Sequence, residues 1–95
     1  MSSVIDGAVE RLAAKLPNGF DGTARFDIEG EGSIFVDENG VRARNDDADV
    51  VLSADEDTFR DMLSGNLNPT TAFMGGRLRI DGNMGLAMKL GAALS

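Results

Sequence analysis

The sequence predicts an α+β domain in which a five-stranded sheet is covered by helices on one face. Three observations carry this. Five short segments have strand character, and three of them follow one another on tight turns. Apolar residues recur at helical spacing near both ends and again before the fifth strand. The strands alternate apolar with charged residues, so one sheet face is wet and the other needs a cover.

Ser3 to Leu16 reads as the first helix. Ser2 or Ser3 can cap it, and Asp6 sits favourably in its first turn. Ile5, Ala8, Val9, Leu12, Ala13 and Leu16 fall on one face, and Pro17-Asn18-Gly19 ends it. Thr23 to Glu29 alternates, with Ala24, Phe26 and Ile28 on the apolar side. Gly30-Glu31-Gly32 is a turn. Ser33 to Asp37 and Val41 to Arg44 are the next strands, joined at Glu38-Asn39-Gly40, where Asn-Gly predicts a type I′ turn with both central residues at positive φ. Asn45 to Asp49 is an acidic loop without the spaced ligands of an EF-hand.

Val50 to Ser53 is a fourth strand. Ser53-Ala54-Asp55-Glu56 has the form of a capping box and opens a helix through Ser64, with Phe59, Met62 and Leu63 inward and Gly65 after it. Asn68-Pro69 opens a short helix that Gly75-Gly76 stops. Arg77 to Asp81 is the fifth strand, with Leu78 and Ile80 inward and Arg77, Arg79 and Asp81 outward; the two arginines face acidic side chains of neighbouring strands or, as the alternative, hold an anionic head group. Asn83 caps the last helix. That helix carries two apolar stripes: Met84, Ala87, Met88 and Gly91 form one, and Leu86, Leu90, Ala93 and Leu94 the other. A small sheet covers one stripe. The other requires ordinary core packing, a protein partner or an apolar ligand, and the nearby methionines Met74, Met84 and Met88 suit an adaptable cavity.

Composition excludes several functions. With no Cys and no His, disulfides, thiolate or imidazole metal sites and His-based nucleophilic catalysis are out of reach, and no carboxylate pair is marked out for acid–base work. No cofactor motif is present: the glycine pairs lack the P-loop Lys and the G-x-G-x-x-G context. A net charge of −7, from eleven Asp and five Glu against seven Arg and two Lys, argues against nucleic acid and against electrostatic adhesion to anionic membranes. Residues 1–14 lack the continuous apolar core of a secretory signal, and no run approaches the ~18 apolar residues of a membrane span, so a cytoplasmic location is expected.

One motif goes further. Gly65-x-Leu67-Asn68-Pro69-x-x-Ala72-Phe73-x-x-Gly76-x-Leu78-x-Ile80-x-Gly82-Asn83, followed by Met84-Gly85-Leu86-Ala87-Met88-Lys89-Leu90, resembles the sterol carrier protein type-2 family. Gly32-Ser33, the acidic loop and Val50 to Asp55 fit the same pattern, so the resemblance covers residues 1–95, more loosely up to Phe20. It implies a single stand-alone domain with an apolar tunnel between sheet and helices. It implies a non-enzymatic carrier for a fatty acid, fatty acyl-CoA, sterol or isoprenoid lipid, with transient membrane contact. The tunnel candidates it implies are Phe35, Met62, Leu63, Leu67, Phe73, Met74, Leu78, Ile80, Leu86, Met88, Leu90 and Leu94, undivided between ligand-facing and core-facing. Two departures qualify it. Animal members end in a peroxisomal tripeptide of the Ser/Ala-Lys-Leu kind, whereas this chain ends Ala93-Leu94-Ser95. The tail beyond Leu90 is also short, which implies a more open mouth or closure by a second subunit in a homodimer. The alternative reading is an accessory module of a lipid or quinone pathway, with the last helix as its docking surface.

Overall fold

A computed structural model describes residues 3–94; Ser2, one of the two expected caps, and Ser95 lie outside the described residues. Helix α1 spans Ser3–Lys15, and strands β1 (Ala24–Ile28), β2 (Gly32–Asp37), β3 (Gly40–Arg42) and β4 (Val50–Ala54) follow. Helices α2 (Glu56–Ser64) and α3 (Pro69–Met74), strand β5 (Arg79–Gly82) and helix α4 (Met84–Leu94) complete the order. The sheet runs β3-β2-β1-β4-β5. The first three strands form the expected antiparallel meander, with Phe26 opposite Ile34 and Val36 opposite Val41. β4 lies parallel to β1, in register Phe26 to Leu52, and β5 returns antiparallel along β4 at the sheet edge.

Period-2 alternation places Ala24, Phe26, Ile28, Ile34, Val36, Val50, Leu52 and Ala54 on one face, where all are buried. α1 closes this face over β2 and β3 with Ile5, Ala8 and Leu12. Ala13, expected on the same stripe, is exposed. α2 adds Phe59, whose ring meets Phe26 edge-on at 5.6 Å between centroids. α4 lies over β4 and β5 and inserts Ala87, Leu90 and Leu94.

Two glycines have steric reasons. At Gly19 (φ 78°) a Cβ would stand 2.6 Å from the Glu38 carbonyl oxygen, and at Gly82 (φ 104°) 2.3 Å from that of Asp49. At both positions the chain runs tightly against neighbouring backbone.

Three local expectations are corrected. Ser53 does not cap α2; it stays in the β4 ladder opposite Arg79, and Asp55 caps instead, its Oδ1 accepting the Thr58 N–H at 2.8 Å. The β2–β3 turn is not type I′. Glu38 and Asn39 keep negative φ, the Asp37 carboxylate accepts the Asn39 N–H at 2.9 Å, and Gly40 alone is left-handed, at 120°. β5 begins at Arg79 rather than Arg77, because the Ala72 carbonyl accepts both the Arg77 and Leu78 N–H groups and holds them in the turn after α3.

Candidate functional site

The opposite sheet face is laced with ion pairs. Arg25 binds Asp27 at 2.8 and 3.1 Å, with Ser33 donating to the same carboxylate, and Arg42 grips Asp37 at 2.6 and 3.0 Å. The Arg42 bond holds the Asp37 carboxyl below the usual carboxylate range and raises Arg42 itself; Arg25 is raised by its bond to Asp27. Phe35 lies on this face, opposite Arg25 and Arg42, with the Arg42 guanidinium 5.3 Å above its ring. Its assignment to the apolar interior is therefore corrected. It sits on the far side of the sheet from every helix, because Ile34 and Val36 take the inward positions. The acidic loop is likewise tied down: Arg44 pairs with Asp46, whose carbonyl accepts from Arg25, and Asp49 N–H donates to Thr23 Oγ1. No group of three metal-ligating side chains occurs among the described residues.

The helical face holds a different feature. An apolar cleft of about 460 Å³ opens between α3, α4 and the β4–β5 edge, within the roughly 300–1,000 Å³ of small-molecule sites. Leu52, Leu78 and Ile80 line it from the sheet side. Pro69, Phe73 and Met74 come from α3, and Met84, Ala87, Met88, Gly91 and Ala92 from α4. Asn68 and Thr70 are its polar residues, and no charged side chain lines it. Its position follows from local sequence. Asn68 accepts the Thr70 N–H at 2.8 Å and Pro69 fills the first turn, which starts α3 at a fixed angle. Asn83 caps α4 in the same way, its Oδ1 accepting the Leu86 N–H at 3.0 Å. With both helices pinned, Met74 is 81% exposed and Met88 74%, while Met84 and Phe73 are about half exposed at the rim.

Of the twelve candidates, Phe73, Met74, Leu78, Ile80 and Met88 meet in this cleft. Met62, Leu90 and Leu94 are core residues, and Leu67 and Leu86 pack partly buried against the core. Leu63 borders a smaller cleft of about 230 Å³ between α1 and α2, rimmed by Arg11, Glu56 and Arg60. The Arg60–Glu56 ion pair spans part of that rim, which makes it a mixed polar surface. Met84, Ala87 and Gly91 line the large cleft without having been candidates. The signal was available: with Met88 they form one complete stripe of the last helix. Leu52, Pro69, Thr70 and Ala92 carried no comparable mark.

Arg77 does not face acidic groups across the sheet as expected. It turns back to α2, where Nε donates to Thr58 Oγ1 at 3.2 Å and the guanidinium stands 3.5 Å from Asp61. Thr58 also anchors Asp55, whose carboxyl its hydrogen bonds hold below the ordinary range.

A family model for the SCP-2 sterol transfer family matches residues 6–95. The chain belongs to that family. Among curated proteins it is similar to hydroxysteroid dehydrogenase-like protein 2 from Bos taurus, 46% identical over 74 residues. That match takes in 70% of this chain but 18% of the relative, so the SCP-2 match is one part of a much longer protein there. Among solved structures, sterol carrier protein 2 from Aedes aegypti in complex with the C16 fatty acid palmitate superposes with a TM-score of 0.79 at 19% identity, covering 100% of this chain and 97% of that one. Sterol carrier protein 2 like 2 from the same mosquito gives 0.71 at 22% identity, with 95% and 92% covered. At these identities the likeness is one of fold. None of the described helices is long and apolar enough to cross a membrane.

Proposed function

We propose that this SCP-2 domain is a non-enzymatic lipid binder that holds an acyl or isoprenoid chain in the cleft between α3 and α4. The observation that carries the reading is the cleft itself: about 460 Å³, lined by apolar side chains on β4, β5, α3 and α4, with exposed methionines at its rim. Exposed apolar clusters of this kind mark binding sites. A chain of ~14 methylenes offers on the order of 10 kcal/mol of burial at about 0.8 kcal/mol per CH₂. Head-group desolvation and chain ordering consume part of it, leaving micromolar affinity. The palmitate complex of the Aedes fold relative supports a fatty acid as the first cargo to try.

Chemistry on the cargo has no support in the lining. Its polar residues are an asparagine and a threonine, neither next to a base. The domain shields the tail while the head group stays at the mouth. Contact of Met74 and Met88 with a bilayer would let cargo pass without crossing water.

A second reading has its own observation. The curated relatives are far longer than the matched part, so the domain can serve as an accessory module beside an enzyme. Native mass spectrometry of freshly purified protein, followed by extraction, separates the two. A near-stoichiometric lipid of one class supports the carrier. Bare protein that also takes up no fatty acid, acyl-CoA or isoprenoid on titration sinks it and leaves the module.

A further inference from the structure

Methionine is the only side chain of this molecule that mild two-electron oxidants attack readily, since the sequence has no Cys, His, Trp or Tyr. Of the five methionines, Met1 lies outside the described residues. Met62 is 1% exposed in the core. The other three all line the cleft, and all three are exposed. Met84 and Met88 stand one turn apart on α4, and Met74 ends α3 on the facing wall. Among the described residues, oxidisable sulfur outside the core is therefore gathered at the mouth of one apolar site.

We propose that Met74, Met84 and Met88 form a reversible peroxide-sensitive modification site that controls loading of the cleft; the inference rests on the lipid-binding reading above. A thioether sulfur attacks the near oxygen of hydrogen peroxide and the O–O bond breaks. The departing oxygen leaves as water, and after proton loss the sulfur carries one oxygen as a sulfoxide. Sulfur is oxidised by two electrons and the peroxide reduced by two. In the return direction a methionine sulfoxide reductase uses two thiols: the sulfoxide oxygen leaves as water and the thiols become a disulfide.

The consequence follows from polarity. A sulfoxide is a strong acceptor, and burying it against methylenes without a donor costs free energy. The side-chain donors in the lining are the Asn68 amide and the Thr70 hydroxyl, both at the start of α3, whereas Met74 ends that helix and Met84 and Met88 belong to α4. Oxidation thus disfavours the loaded state. The fold is spared, because Met62 is shielded. Linkage requires the converse too: bound cargo slows oxidation of the same sulfurs.

The test treats the protein with hydrogen peroxide, maps sulfoxides by peptide mass spectrometry and titrates palmitate before and after. Met74 and Met88 oxidise first, Met84 next and Met62 last; palmitate affinity falls about tenfold, and reductase with a dithiol restores it. Saturating palmitate slows the three cleft sites. In a Met74→Leu/Met84→Leu/Met88→Leu variant, whatever its starting affinity, peroxide produces no change. Sulfoxides mapped at all three sites with unchanged palmitate affinity overturn the switch and leave the lipid reading standing. Oxidation of Met62 as fast as Met74 overturns it also. Untreated protein that binds no palmitate removes the fatty-acid reading itself, and the switch with it.

Discussion

α1 and α4 cover the same sheet face, and each buries three residues in the core. They differ in what they leave outside. α1 turns Asp6, Glu10 and Arg11 to solvent, the pattern of a helix whose apolar surface is spent on the core. α4 carries a single charge, Lys89, and turns Met84 and Met88 outward instead. Equal burial therefore hides unequal roles. The inner stripe of α4 is structural in the way that α1 is, through Leu90 and Leu94, while its outer stripe walls the cleft. A helix that is apolar nearly all round has two surfaces to satisfy, and here the sheet takes one of them while the other faces the cleft.

The strongest way to break this comparison is to truncate both inner stripes. Leu12→Ala and Leu90→Ala remove side chains that are 1% and 0% exposed, and each should cost about 2–5 kcal/mol of unfolding free energy. A Leu90→Ala cost under about 1 kcal/mol, by denaturant unfolding, would mean that the inner stripe of α4 is not core. The outer stripe answers differently. Met88→Gln sits in solvent, so stability should stay within about 0.5 kcal/mol, whereas palmitate affinity should fall roughly tenfold as an amide enters the apolar wall. Loss of stability without loss of affinity would invert the assignment.

Much of this was legible in advance because periodicity is a local signal. Ala24-x-Phe26-x-Ile28 and the two stripes of α4 fix faces without knowledge of any partner. Phe35 was not legible in that way. In Ile34-Phe35-Val36 three apolar residues run together, and only the register opposite Arg25 and Arg42 decides which one leaves the core. Ser53 fitted a capping box equally well on paper, but the β4–β5 ladder holds it and the cap passes two residues on to Asp55. Met84 and Gly91 were visible as members of a stripe. That the stripe was the open one depended on where α3 docks, which is a tertiary outcome.

A smaller effect probes the start of α2. Asp55 starts α2 and, through Thr58 and Arg77, links it to the turn that leads into β5. Its folded pKa is lowered, first by the hydrogen bonds from Thr58. The stability it contributes is therefore present above the unfolded carboxylate pKa and is lost as pH falls through the folded value. Asp55→Ala should lower the Tm at neutral pH, and the gap to the parent protein should close on acidification below about pH 4. A gap that persists unchanged in acid would show that the carboxylate is not what holds the cap.

The least effect is expected on the far face. Arg42 covers Phe35 and holds Asp37, yet the sheet stands between it and the cleft. Arg42→Ala should leave palmitate affinity unchanged within error while the Asp37 carboxyl rises toward its ordinary value, since the hydrogen bond that depresses it is gone. A carboxylate titration followed by NMR reads the second change, and lipid titration the first. If affinity fell along with the Arg42–Asp37 pair, the two faces of the sheet would be coupled. The division between a wired, polar face and an open, apolar one would then fail as an account of where cargo binds.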